Sequence, residues 1–124
     1  MTAMQSDRPT RCQGVRGAIT VPANTAAAIR EATRELLCAL VEANQIVPED
    51  IGGAFFTTTP DLNAAFPAAT ARELGWGDVA ILCGHEMNVP GALPMCLRVL
   101  VLWNTTRAPH EIQHVYLREA QALR

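Results

Sequence analysis

Arg98 stands inside the apolar run Leu97-Arg98-Val99-Leu100-Val101-Leu102-Trp103, which reads as a central strand. Strand side chains alternate between faces, so Arg98 shares one face with Cys96, Leu100 and Leu102, while Leu97, Val99, Val101 and Trp103 take the other. A guanidinium keeps its proton, so among apolar neighbours it must be paired, hydrated or turned onto an anion. Two readings stay open for it: a structural ion pair or a reach to solvent along an edge strand, and contact with a bound ligand. Three more residues could join such chemistry. Glu86, in Cys83-Gly84-His85-Glu86-Met87-Asn88-Val89, is a loop carboxylate just past a short apolar segment, either ligand-facing or simply exposed. Arg16 lies between Gly14 and Gly17, residues that let backbone or ligand come close, and it reads equally well as a β-edge arginine. Tyr116, the single tyrosine, falls in the last apolar segment, where a hydroxyl finds either a ligand or a protein partner.

His110-Glu111-Ile112-Gln113-His114 has the H-E-x-x-H spacing that puts two metal ligands on one helical face with a carboxylate beside them. The context argues against that use. Pro109 precedes it, a strand-like Val115-Tyr116-Leu117 follows at once, and too little chain remains for a third ligand. His85 is isolated and suits a loop or solvent role. The chain carries no G-x-G-x-x-G, P-loop or G-x-S-x-G pattern, so nucleotide cofactors and acyl-serine chemistry have no support.

These residues need elements to hold them. A first strand is expected from about Arg11 to Val21. From Thr25 to Asn44 the residues Ile29, Thr33, Leu36, Leu37, Leu40 and Val41 recur at helical spacing, with Asn24 or Thr25 as N-cap. After the Pro48-Glu49-Asp50 turn, Ala54 to Thr58 reads as a strand closed by Pro60-Asp61. Pro67 suits the first turn of a short helix through Leu74. Val79 to Cys83 is expected as a short buried strand, Gly84 to Pro94 as a loop, then the Arg98 strand. Arg107 to Gln113 reads as a turn or short helix, and His114 to Leu117 as a final strand. Strands alternating with helices predict a single α+β (α/β-like) domain, a mixed β-sheet packed with helices.

Composition narrows the function classes. The 124 residues suffice for one core, and 49% hydrophobic with 18% charged residues describes a folded domain. A net charge of -2 without a basic cluster argues against nucleic-acid binding. Lysine is absent, so all ten basic side chains are arginines, suited to bidentate carboxylate or phosphate contacts, and lysine Schiff-base chemistry is excluded. Cys12, Cys38, Cys83 and Cys96 show no C-x-x-C spacing and read as reduced, buried thiols of a cytoplasmic protein. No apolar run reaches membrane-span length, and residues 1–10 are expected to form a flexible polar extension ahead of a domain over 11–124.

The elements Val15-Arg16-Gly17-Ala18, Thr59-Pro60-Asp61-Leu62, Phe66-Pro67-Ala68, Arg72-Glu73-Leu74, Cys83 through Val89, Cys96-Leu97-Arg98-Val99 and His114-Val115-Tyr116-Leu117 resemble the small trimeric chorismate mutases of the mixed α/β type. The likeness runs from Arg11 to Arg124. It implies a homotrimer with pseudo-α/β-barrel packing and active sites at subunit interfaces, turning chorismate into prephenate by a unimolecular pericyclic step without metal or cofactor, on the route to phenylalanine and tyrosine. By resemblance Arg98 faces the ether oxygen, Glu86 the ring hydroxyl, and Arg16 with Tyr116 the enolpyruvyl carboxylate. Leu82, Cys83, Gly84 and His85 line the same pocket; Phe66, Ala68 and Arg72 come from the neighbouring subunit, and Leu123 with Arg124 belong to a closing C-terminal segment. Two features depart from the pattern: Ala69 stands where members can carry a lysine, and the sequence ends at Arg124, leaving little tail expected to act as a lid. Rival readings are a trimeric carboxylate-metabolite binding protein without catalysis and an enamine or imine deaminase.

Overall fold

In the computed structural model, residues 8–124 are described. Most of the expected N-terminal extension, residues 1–7, lies outside them; Arg8 pairs with the Glu111 carboxylate. The chain runs β1 (Arg11–Thr20), α1 (Ala26–Asn44), a 3-10 turn (Pro48–Asp50), β2 (Ile51–Thr58), α2 (Pro67–Glu73), β3 (Ile81–His85), β4 (Cys96–Thr105), a 3-10 turn (Pro109–Glu111), β5 (Val115–Leu117) and a C-terminal 3-10 segment (Arg118–Leu123). One five-stranded sheet has the order β3-β2-β4-β1-β5. The inner pairs β2-β4 and β4-β1 are antiparallel, while the outer strands β3 and β5 run parallel to β2 and β1. The single mixed-sheet domain is as expected. The sheet is open, with β3 and β5 at opposite edges, so no barrel closes within one chain.

The helices cover one face only. Ile29, Leu36, Leu37 and Leu40 of α1 pack on Val15, Ile19, Leu97, Val99 and Val101 of the central strands, burying the α1 stripe that the 3.6-residue spacing announces. Thr25 caps α1, its hydroxyl accepting from the Ala28 N–H at 3.1 Å. Asn24 has a different task. Its Oδ1 accepts the Asn63 and Ala64 N–H groups at 3.0 and 3.1 Å, tying the start of α1 to the loop that carries Phe66. At the other end, buried Asn44 donates to the Gln113 carbonyl at 2.9 Å and accepts its N–H at 2.8 Å, which sets the entry to β5.

Several boundaries move. The β2 strand begins at Ile51, with a register irregularity between Ile51 and Gly53. The β3 strand starts two residues later than expected and includes Gly84 and His85, because its ladder to β2 runs from Ala54–Ile81 to Thr58–His85. The 3-10 turn at Pro109–Glu111 gives way to an extended Ile112, so His110 and His114 do not share a helical face, as the flanking residues predict. Three thiols depart from the buried reading: Cys12 and Cys38 are exposed and Cys83 is half-buried, while Cys96 is buried.

Candidate active site

The helix-free face of the sheet carries one cross-strand row through all five strands: Gly84, Thr57, Arg98, Ala18 and Tyr116 are successive register partners. Beside it runs a second row, Leu82, Phe55, Leu100 and Arg16. Residues on the same face of paired strands are neighbours, so the register assembles arginines, aromatic rings and a tyrosine from segments far apart in sequence. Gly84 and Ala18 put little bulk beside the functional groups. The result is a shallow cavity of about 360 Å3 lined by Arg16, Phe55, Thr57, Glu86, Arg98 and Tyr116, with Leu123 at its rim.

Arg98 sits on the third strand of five, so the edge-strand reading is excluded. Nor is it buried among apolar side chains. Alternation turns it to the open face as expected, and its side chain is 44% exposed, so hydration meets much of its need. Its Nε lies 4.0 Å from Glu86 Oε2, too far for a hydrogen bond. That oxygen instead accepts from the Thr57 hydroxyl at 2.5 Å. The Glu86 backbone is itself anchored, its N–H donating to the Thr58 carbonyl at 2.9 Å and extending the β2-β3 ladder by one bond.

The sequence motifs around these residues are largely scaffold. Thr59 and Cys96 exchange hydrogen bonds, the Thr59 N–H to the Cys96 carbonyl and the Cys96 N–H to Thr59 Oγ1, each at 3.0 Å. Asp61 accepts the Met95 N–H at 3.0 Å, just where Met95 takes a positive φ of 52°. The Thr59-Pro60-Asp61 turn thereby sets the start of the Arg98 strand. Cys96, two residues before Arg98 on its face, packs with Ala18 and Ala120 beneath the C-terminal segment. Burial pushes its thiol up, with the Arg98 guanidinium pulling the other way, which keeps it protonated.

The glycines flanking Arg16 serve packing. A Cβ on Gly17 would meet Leu36 and Leu40 Cδ1 at 3.1 Å and Val99 Cγ1 at 3.2 Å, so it is α1 that approaches there; at Gly14 it is Leu100, at 3.3 Å. The Arg16 N–H donates to His114 Nδ1 at 3.0 Å. Arg16 and Tyr116 therefore come to the cavity on neighbouring strands, with the His114 ring as a splint between them.

Not every expected residue joins this cavity. Leu82 and Gly84 share the Arg98 face, but alternation sends Cys83 and His85 to the opposite one, with Phe56 and Thr58 as their register partners. His85 Nδ1 lies 3.1 Å from Thr58 Oγ1. Both residues line a separate hollow of about 430 Å3 that includes Phe66. Phe66 is 72% exposed and Arg72 is exposed, whereas Ala68 is buried within its own chain at 5%. Arg124 lines a third hollow, of about 450 Å3, with His110 and His114 on the far side of Arg16, Tyr116 and Leu123. Thr57, Phe55 and His114 escaped the sequence reading; only the pairing register reveals the first two, and only a side-chain bond to another strand the last, whereas alternation alone had put Leu100 on the Arg98 face.

A family model described as chorismate mutase type I matches residues 12–124. Chorismate mutase AroH of Thermus thermophilus is 50% identical over 113 residues, 90% of this chain and 93% of that protein. Chorismate mutase AroH of Bacillus subtilis is 42% identical over 113 residues, 90% of this chain and 89% of its own length. Among solved structures, a chorismate mutase from Clostridium thermocellum superposes with a TM-score of 0.87 at 44% identity, over 89% of this chain and 98% of that one. Sequence, fold and family model agree across nearly the whole chain, which belongs to the chorismate mutase type I family.

Proposed function

We propose that this protein is an isomerase converting chorismate to prephenate at the open-face cavity, with Arg98, Glu86, Arg16 and Tyr116 as its catalytic residues. The observation that carries the reading is the pair of opposite charges, Arg98 and Glu86, held 4.0 Å apart on one cavity floor with Arg16 and Tyr116 beside them. Chorismate is a dianion, and its rearrangement builds negative charge on the ether oxygen and positive charge on the ring as the C–O bond breaks. Fixed charges complementary to that separation stabilise the transition state more than the substrate. Arg98 takes the ether oxygen. Glu86 takes the ring hydroxyl and the growing positive ring. Arg16 and Tyr116 hold the enolpyruvyl carboxylate in the compact conformer that can react. Leu123 closes over the apolar side and Arg124, in the adjoining hollow, adds a positive charge behind Arg16 and Tyr116, while Leu82, Gly84 and the Cys83 and His85 backbone form the β3 wall.

The cavity is wide open in one chain, and we place a neighbouring subunit of a homotrimer across it, contributing the outward-facing Phe66 and Arg72. The contribution first expected from Ala68 reduces to its backbone, since the methyl is buried at home. A cytoplasmic location is supported by the unpaired Cys12 and Cys38 at the surface; among the described residues no helix is long and apolar enough to cross a membrane.

The test is turnover of chorismate by purified protein with chelator present, trapping prephenate as phenylpyruvate in acid. Saturable, chelator-insensitive conversion is expected. Arg98→Gln should lower kcat about 10²- to 10³-fold, the value of one preorganised donor to a developing oxyanion. An unchanged kcat would remove Arg98 from the mechanism, and chorismate binding without turnover would identify a carboxylate-binding protein instead.

A further inference from the structure

Glu86 and Arg98 line the same open cavity, their charged groups 4.0 Å apart. An unconstrained carboxylate and guanidinium at this separation close to a charge-assisted hydrogen bond of about 2.7–2.9 Å. Here they stay at 4.0 Å, and the Glu86 oxygen nearest Arg98 is the one that accepts from Thr57 at 2.5 Å. Thr57 occupies the register position between the two groups, paired with Arg98 on one side and with Gly84 on the other. A β-branched side chain in a strand has little χ1 freedom, so the hydroxyl is a rigid post. The space above Gly84 is empty, with no atom within 4 Å of where a Cβ would stand, so no other side chain there limits the swing of Glu86. The Glu86 backbone is pinned to Thr58, which leaves side-chain torsion as the freedom that Thr57 removes.

We propose that Thr57 is a positioning residue for the reaction: its hydroxyl binds Glu86 Oε2 and keeps the carboxylate out of a closed ion pair with Arg98, leaving both charges free for substrate. The inference rests on the site reading given above. A closed Glu86–Arg98 pair would cancel the field that the transition state needs and would have to be broken before the ether oxygen could reach the guanidinium. Thr57 removes that reorganisation before substrate arrives.

The experiment is a double-mutant cycle read by steady-state kinetics on chorismate. Thr57→Val keeps the shape and deletes the hydroxyl, and Thr57→Ala serves if the valine variant does not fold. The hydroxyl's bond to a charged carboxylate is of a strength that predicts a fall in kcat of about 10- to 100-fold with a smaller change in KM. Thr57→Ser should restore most of the rate. In a Glu86→Gln background the Thr57→Val change should cost less than twofold, because a neutral amide has no ion pair to close. Wild-type kcat in Thr57→Val, or the same loss in both backgrounds, would overturn the positioning role while leaving Glu86 in place. Wild-type kcat in Glu86→Gln would overturn the Glu86 assignment itself, and the Thr57 proposal with it.

Discussion

His114 shows how a single side chain can tie the site to solution conditions. Its Nδ1 accepts the Arg16 N–H at 3.0 Å, so the ring must carry its proton on Nε2 when neutral. Although the side chain reaches the surface, the atoms packed about its ring and then the Arg16 charge both hold it below its ordinary value of 6.5. Around it lie Arg16 on β1, His110 on the 3-10 turn, Tyr116 on β5 and Arg124, with no Asp or Glu side chain lining that hollow among the described residues. A base whose folded pKa is depressed contributes stability above its unfolded value, and that stability is lost as pH falls through the folded value. Thermal stability should therefore decline as pH drops below about 6.5, and KM for the dianion should rise only at lower pH, where the ring protonates in the folded protein and Arg16 loosens. His114→Asn supplies an amide oxygen near the Nδ1 position at every pH. Melting curves from pH 7.5 to 5 should be flatter for that variant than for the wild type, and parallel curves would remove His114 from the acid response.

At the scale of elements, the site depends on how closely α1 lies against the sheet. Gly17 separates Arg16 from Ala18 on β1 and projects toward the helix, where the tips of Leu36, Leu40 and Val99 fill the place of a side chain. Gly17→Ala brings a methyl to 3.1 Å from two Leu carbons, so those side chains must leave their rotamers or α1 must lift. Overpacking of this kind costs about 1–3 kcal/mol. The expected result is a lowered midpoint in denaturant unfolding with unchanged m-value, together with weaker substrate binding, since β1 carries Arg16. A midpoint equal to wild type would show that the leucine tips yield freely. The glycine next to Arg16 thus suggested a close approach from the residues alone, but which partner approaches depended on strand order. Asn44 teaches the same lesson: it is polar, at the end of an amphipathic helix, and its reason for being buried is a backbone segment 69 residues away.

For the whole molecule, the unresolved need is cover for an apolar face. Leu82 is 67% exposed, Phe55 42% and Leu100 37%, and the three are successive register partners on the open side of the sheet. A contiguous patch of this kind on the rim of the candidate cavity marks an interaction surface. The proposed trimer would bury it and bring Phe66 and Arg72 of each neighbour to the Arg98 cavity. Leu82→Glu should then convert a sedimenting species of three times the 13.4 kDa chain into monomer, and activity should fall with it. A wild-type protein that sediments as a fully active monomer would contradict the shared site.

Much of the fold was legible because local physics decides it. The α1 stripe, the Thr25 cap, the alternation that turns Arg98 away from Val99 and Val101, and the proline-marked turns each depend on residues within a turn or two of one another. The family likeness across seven segments then named the proposed site residues together. Tertiary structure decided what lies between strands: that Thr57 stands opposite Arg98, that Cys83 and His85 turn from the cavity while Leu82 and Gly84 face it, and that β3 begins at Ile81. Those facts follow from register, and register is set by pairing between segments tens of residues apart, where a shift of one residue exchanges the faces. Residue types along one chain carry the first kind of information directly and the second only once the chain has closed on itself.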